Sequence, residues 1–300
     1  MLSDFVGLLA RLPDIPYRSP FSFRRNTTVG IGGEAPLALF PRGEKELVSA
    51  LREVQRAGFP YVMLGRGSNV LVSDGGFDGV VIATALARAI RAENGLIVAE
   101  CGVALSALLR FAAENDLGGL EYLAGIPASA GGAVFMNAGA RGKYIGENVH
   151  RVTAFTDGEV CKLAADQCDF AYKSTRFMRG GCILSVVLRA EPDAYAAEKI
   201  RAALAEREKL PRERSLGCVF KNPPGHSAGE LIERAGLKGM HIGGAFVSEK
   251  HANFIVNRGE ATAADYRALV ALVRGKVLSE TGIRLAEEIR YIGEFYASDG

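Results

Sequence analysis

The sequence has no run of roughly 18 uncharged apolar residues, so no stretch is suited to cross a bilayer as a helix. Asp4, Arg11 and Asp14 interrupt the apolar N-terminus, which argues against a signal peptide. Neither charge sign dominates: 36 Lys and Arg stand against 34 Asp and Glu. That balance leaves no basic footprint for nucleic acid and no general attraction to anionic lipid. Cysteine is sparse and unpaired. Cys101, Cys161, Cys168, Cys182 and Cys218 include no Cys-x-x-Cys, which speaks against a disulfide framework or a zinc site and for a reducing cytoplasm. His226, His241 and His251 do not group at metal-ligand spacing, so no metal is expected. No Gly-x-Gly-x-x-Gly opens a helix and no Gly-Lys-Ser/Thr follows a glycine loop, which removes the Rossmann fingerprint and the P-loop. Repeats and low-complexity segments are missing as well.

What is present is an ordinary globular composition, 48% hydrophobic and 23% charged over 300 residues, long enough for two or more domains. A short leading helix and a proline-punctuated arm occupy residues 1–20. Residues 44–57 form an amphipathic helix, with Leu47, Leu51 and Val54 on one face and Gly58 at the C-terminal cap position. Residues 61–64, 70–72 and 80–83 read as strands of one α/β sheet. Residues 96–101 are a strand, and Leu105, Leu108, Leu109 and Ala112 mark the helix after it. Asp157-Gly158 between two apolar runs is a hairpin signal. Residues 182–188 form a buried strand. A boundary is expected at Glu191-Pro192-Asp193, then a solvent-rich helix over 196–210, stopped by Pro211, and a charged, mobile segment over 211–215. The remainder holds helices at 228–235 and 263–280 and strands near 245–247, 252–256 and 289–292.

Two glycine-rich stretches stand out. Gly65-Arg-Gly-Ser-Asn69 joins two strands and can present consecutive N–H groups, with Ser68 and Asn69 as further donors and Arg66 as a charge. Gly125-Ile-Pro-Ala-Ser-Ala-Gly-Gly-Ala-Val-Phe-Met-Asn-Ala-Gly-Ala140 carries no charge and is too rich in glycine for an ordinary helix or strand. Small side chains and free N–H groups suit the close approach of a phosphorylated ligand. A tight crossing of two backbones would ask for the same residues.

The order of these pieces is more specific than any one of them. Asn26-Thr-Thr-x-x-Ile-Gly-Gly is followed by Gly65-x-Gly-Ser-Asn and then by the 125–140 stretch. Gly217-x-Val-Phe-Lys-Asn-Pro comes next, and a Glu precedes the last strand. From about Asn26 to Gly293 the chain resembles the UDP-N-acetylenolpyruvoylglucosamine reductases, flavoenzymes that complete UDP-N-acetylmuramate for peptidoglycan. The resemblance implies an α+β chain with an FAD-binding fold of the vanillyl-alcohol-oxidase-like type and a C-terminal substrate-binding domain. The divisions expected are 1–85 and 86–192 for two FAD-binding subdomains and 193–300 for the substrate domain, its last strand packing back toward the FAD site. Residues 225–239 are similar to the subgroup with the shorter third domain, which lacks a tyrosine-bearing lid loop.

By the same resemblance, FAD is bound non-covalently by Gly65, Arg66, Gly67, Ser68, Asn69, Gly125, Ile126, Pro127, Ser129, Gly131, Gly132, Asn137, Ala138 and Gly139. NADPH is the reductant and has no Rossmann site of its own. Where the family shows Tyr-Arg-x-Ser, with the Arg on the substrate carboxylate, this chain has Tyr172-Lys173-Ser174-Thr175. Lys173 keeps the charge without the planar fork. Arg176 is the rival, but in an extended segment it would point to the other face. The family's proton-donating serine is Cys218 here, and a thiol, with an ordinary pKa of about 8.5, is competent for that role. Without the family a lone cysteine beside apolar residues reads as a small buried hydrophobe. The catalytic Glu aligns with Glu288, which strand alternation puts on one face with Arg290. Tyr172, Arg176, Lys221, Asn222, His251 and Arg290 are expected to face the substrate. The implied reaction delivers hydride from flavin N5 to C3 of the enolpyruvyl group, with Lys173 and Glu288 stabilising the enolate and Cys218 protonating C2. A cytoplasmic monomer acting on a nucleotide sugar is expected, with no nucleic-acid or membrane partner. An FAD-dependent alcohol oxidase of the same fold is the alternative.

Overall fold

The computed structural model describes residues 2–295. The chain divides into two compact units. The first holds residues up to Ser19, Leu37–Arg66 and Gly79–Arg207; the second holds Pro20–Pro36, Gly67–Asp78 and the chain from Glu208 onward. The division falls inside the first glycine turn, between Arg66 and Gly67.

In the first unit the strands Leu37–Leu39, Val80–Ala83 and Tyr61–Leu64 lie side by side in parallel, with Tyr17–Arg18 antiparallel on the outer edge. The helix Glu44–Arg56 connects the first to the third in sequence and buries Leu47, Ala50, Leu51 and Val54. Each of its larger apolar side chains contributes about 1.5–3 kcal/mol on burial. Glu44 and Glu46 sit in its positive first turn, and Gly58 takes the left-handed φ of +73° that ends it. A five-stranded antiparallel sheet completes the unit, in the order Glu159–Ala164, Val149–Thr156, Cys182–Arg189, Leu96–Glu100, Ile90–Glu93. Its first hairpin turns at Asp157 and Gly158, both at positive φ, as a two-residue turn between right-twisted strands requires.

In the second unit the strands Arg214–Cys218, Phe254–Asn257, Ala245–Val247 and His241–Ile242 form an antiparallel sheet. Its core includes Leu216, Val219, Phe220, Leu231, Ile232, Tyr266 and Val270. The helix Ala263–Thr281 starts on a reciprocal Thr262–Asp265 cap, and Asp74 accepts from Ala263 N and Ala264 N.

Four local expectations are corrected. Val70–Val72 does not continue the parallel sheet; it pairs in parallel with Arg290–Ile292 in the second unit. The 125–140 stretch contains a helix, Ala130–Phe135, because Ser129 caps Gly132 N and the helix is buried on both sides of its glycines. Residues 170–177 are not extended: they turn tightly and enter a 3₁₀ helix at Arg176. Arg214 and Ser215 belong to a strand, paired with Asn257 and Val256.

Candidate functional site

The cradle lies in the first unit. Residues 128–131 are tied to the turn after Leu96–Glu100: Leu105 N donates to Ala128 O, Ala130 N to Val103 O and Gly131 N to Cys101 O, at 3.0, 2.7 and 2.9 Å. The approach is so close that a Cβ on Gly131 would lie 2.6 Å from the Cys101 Cβ. A Cβ on Gly65 would lie 2.6 Å from Ser129 Oγ, so the two glycine stretches meet where the Ser129 hydroxyl takes the space a side chain on Gly65 would need. Asn137, buried and at φ +43°, accepts from Gly146 N at 3.0 Å and donates to Ala171 O at 2.8 Å. Its carboxamide therefore joins the cradle to the Tyr172-Lys173 turn. A groove of about 410 Å³ borders the stretch, lined by Arg66, Gly125, Ile126, Pro127 and apolar side chains of the helices Leu105–Glu114 and Ala196–Glu206.

Tyr172 and Lys173 form the tip of a two-residue hairpin closed by Ala171 N to Ser174 O and Ser174 N to Ala171 O. Lys173 is half-buried and held at φ +52°, which a non-glycine residue adopts at a cost. Tyr172 packs edge-on against Tyr144. Arg176 directs Nη1 to the Gln167 carbonyl at 2.9 Å. Thr175, buried, donates to Phe135 O at 2.8 Å.

The loop that carries Cys218 lies in the second unit. The strand Arg214–Cys218 slips register after Ser215, with Gly217 at φ +77°, and regains its partner at Cys218 opposite Phe254. A bulge of this kind re-aims the side chain that follows it, here that of half-buried Cys218. Next along the chain, Val219 O accepts from Glu288 N at 2.7 Å and Lys221 N donates to Ala286 O at 2.8 Å. Asn69 closes the other side: its Nδ2 donates to Glu288 O at 3.1 Å and its own carbonyl accepts from Arg290 N at 2.9 Å. Glu288 is thus clamped by its backbone between Asn69 and the residue after Cys218. The neighbouring Glu287 is engaged by Arg274 at 2.7 Å and by the Tyr291 hydroxyl at 2.6 Å. Burial and that carboxylate hold the Tyr291 phenol well above its ordinary pKa.

The other expected substrate residues are in the second unit too. Asn222 Oδ1 accepts from Ala228 N at 2.9 Å, and Arg290 is exposed on the last strand. Burial lowers the pKa of His251, and its Nδ1 accepts from Asn253 N at 3.3 Å, a bond that asks for that nitrogen to carry no proton. Gly67 at φ +61° leaves room for residues 26–27, where a Cβ would fall 2.8 Å from Asn26 O. Two residues outside the expected set hold these loops. Thr28 donates through its hydroxyl to Ser215 O at 2.7 Å, and Asn253 bonds three times to residues 219–220. The signal for Thr28 was the Asn-Thr-Thr motif itself; for Asn253 it was a lone carboxamide inside the apolar run 252–256.

The residues present fit FAD. Gly65 leaves no room for a Cβ beside Ser129 Oγ, and Gly131 none beside Cys101, so the two stretches pack without bulky side chains. The donors there are neutral, with Arg66 the charge that accompanies them, a suitable set for a pyrophosphate. Among the described residues no group of His, Cys, Asp and Glu could hold a metal ion, and no helix is long and apolar enough to cross a membrane.

The family model of an FAD binding domain matches residues 35–164, and that of the UDP-N-acetylenolpyruvoylglucosamine reductase C-terminal domain matches residues 209–292. The UDP-N-acetylenolpyruvoylglucosamine reductase of Moorella thermoacetica is 45% identical over 275 residues, covering 90% of this chain and 91% of the relative. That of Heliobacterium modesticaldum is 45% identical over 282 residues, covering 90% and 88%. The crystal structure of UDP-N-acetylenolpyruvylglucosamine reductase from Thermus caldophilus superposes with a TM-score of 0.79 at 33% identity, covering 93% of this chain and 99% of that one. With both family models in chain order and such identity over nearly its whole length, the chain belongs to the UDP-N-acetylenolpyruvoylglucosamine reductase family.

Proposed function

We propose that this chain reduces the enolpyruvyl ether of UDP-N-acetylglucosamine to UDP-N-acetylmuramate in peptidoglycan precursor synthesis, with FAD as resident cofactor and NADPH as reductant. The observation that carries the reading is the ladder joining residues 219–221 to residues 286–288. It brings Cys218 and Glu288, about 70 residues apart in sequence, onto adjoining backbones, where the reaction asks for a proton donor and a carboxyl group.

FAD, reduced by NADPH, supplies a hydride to C3 of the enolpyruvyl group when bound. Cys218 donates its Sγ proton to C2, which completes saturation of the C2–C3 bond; the thiolate is reprotonated from solvent. Glu288, acting as the protonated acid, donates a hydrogen bond to the substrate carboxylate as negative charge spreads into it. Glu288 takes this role because it stands at the position of the family's catalytic Glu; the neighbouring Glu287 is engaged by Arg274 and Tyr291. Lys173 supplies the positive charge for the carboxylate. Its strained position at the tip of a closed hairpin, and the use of Arg176 on the Gln167 carbonyl, support Lys173 over Arg176.

The cofactor residues of the proposal are those of residues 65–69 and 125–139 given above, and Tyr172, Lys221, Asn222, His251 and Arg290 face the nucleotide sugar. The proposed functional division remains two FAD-binding parts, 1–85 and 86–192, and a substrate part, 193–300. The protein acts as a cytoplasmic monomer. The test is NADPH oxidation by the purified flavoprotein with and without the enolpyruvyl substrate. Substrate-dependent oxidation with formation of UDP-N-acetylmuramate is expected. A flavoprotein that ignores the substrate and passes its electrons from an alcohol to O₂ would overturn the reading.

A further inference from the structure

The bulge that re-aims Cys218 leaves a gap in the sheet. Past the Cys218–Phe254 pair the chain at 252–253 turns away from strand geometry, so residues 219–220 have lost their ladder partner on that side. Asn253 fills the gap. Its backbone carbonyl accepts from Val219 N at 2.8 Å, its Oδ1 accepts from Phe220 N at 2.9 Å, and its Nδ2 donates to Phe220 O at 2.8 Å. The carboxamide acts as a detached peptide group that satisfies both polar groups of Phe220. Asn253 is 3% exposed and Phe220 2% exposed, so water cannot replace these bonds. On the opposite side Val219 O accepts from Glu288 N and Lys221 N donates to Ala286 O, which pairs Phe220 with Glu287. The loop beginning at Cys218 is therefore fixed from both sides, by Asn253 on one and by the Glu288 segment on the other.

We propose that Asn253 is a positioning residue for proton transfer: by bonding both polar groups of Phe220 it holds the Cys218 thiol in register with Glu288. The proposal rests on the assignment of Cys218 as proton donor. An apolar residue at 253 would leave a buried N–H and C=O unpaired and loosen one of the two sides that hold the loop after Gly217. Asn253→Asp keeps the shape and the acceptor for Phe220 N but turns the donor into an oxygen that faces another oxygen. Asn253→Ala removes both bonds.

Two readouts decide. The first is the rate at which iodoacetamide alkylates Cys218 in the FAD-loaded protein, followed by mass spectrometry at fixed pH. The second is the pair of half-reactions seen in the flavin absorbance: reduction by NADPH, then reoxidation by the enolpyruvyl substrate. Both variants are expected to change the alkylation rate of Cys218 severalfold and to slow substrate-driven reoxidation by about 10- to 100-fold, the scale of a misplaced reacting group. Reduction by NADPH should stay within about twofold. If Asn253→Ala fails to fold, Asn253→Asp decides alone. An unchanged alkylation rate, or equal losses in both half-reactions, would overturn the proposal. Wild-type protein that never reoxidises with the enolpyruvyl substrate would defeat the functional reading, while the alkylation readout would still decide on Asn253.

Discussion

The cradle in the first unit and the reaction loop in the second solve opposite problems. Residues 65–69 and 125–139 work by what they lack: Gly65 and Gly131 sit where a single Cβ would fall 2.6 Å from a neighbour. Under the proposed function the loop from Cys218 works by side-chain identity, on a backbone held by Asn253 and residues 286–288. The first region resists added atoms and tolerates chemical change; the second resists chemical change. Substitutions should therefore separate holding the cofactor from performing the reaction.

The largest effect is expected at the reaction loop. Cys218→Ala should lower steady-state turnover by about 10²–10⁴-fold, the usual scale for losing a positioned acid, with the flavin content of the purified protein unchanged. Loss of flavin in this variant would blur the contrast between the regions. Lys173→Gly comes next. Glycine accepts φ +52° without strain, so the backbone should survive while the charge is lost. A drop of roughly 10–100-fold in kcat/KM is expected, as for a lost charged hydrogen bond. Lys173→Arg should retain activity; if it is as poor as the glycine variant, the positive charge is not what the position supplies.

Gly131→Ala should act on the fold rather than the chemistry. Forcing a methyl against Cys101 should cost about 1–3 kcal/mol in thermal or denaturant unfolding and weaken flavin retention, with turnover per bound flavin unchanged. The smallest effect concerns His251. Its pKa is lowered in the folded state by burial, so as pH falls through roughly 6.5 the unfolded chain binds a proton that the native ring refuses. Stability should decline over that interval, and denaturant melts of His251→Gln should show a shallower decline. Two other thiols should stay silent throughout: burial pushes the buried Cys101 up to about 12 and the half-buried Cys182 up to about 11, so neither should compete with Cys218 for iodoacetamide near neutral pH.

The two regions also differed in how far the sequence disclosed them. Glycine has a steric meaning that needs no partner, so the stretches at 65–69 and 125–140 were visible as places of close approach. The Asp157-Gly158 hairpin was visible for the same reason. Long-range partners were not. Val70–Val72 looks like any apolar strand, and nothing local says that its neighbour is Arg290–Ile292. The charges of residues 212–214 suggested a mobile linker, yet Arg214 and Ser215 pair with Asn257 and Val256. The helix at Ala130–Phe135 forms against its glycine content because its cap and its burial outweigh propensity. In the site, the types of Cys218, Glu288 and Lys173 were legible from motif order. Their backbone settings were not, since the bulge at Gly217 and the left-handed Lys173 sit beside segments that Asn253 and Asn137 hold from far along the chain, at Phe220 and Ala171.

The central claim is that Cys218 protonates an enolpyruvyl substrate in a flavoenzyme whose cradle works independently of it. Rapid mixing of the FAD-loaded Cys218→Ala protein, first with NADPH and then with the enolpyruvyl substrate, tests it most directly through the flavin absorbance. The account predicts bleaching by NADPH at the wild-type rate and no recovery of colour on adding substrate, with recovery restored in Cys218→Ser. Recovery at the wild-type rate in Cys218→Ala would contradict it.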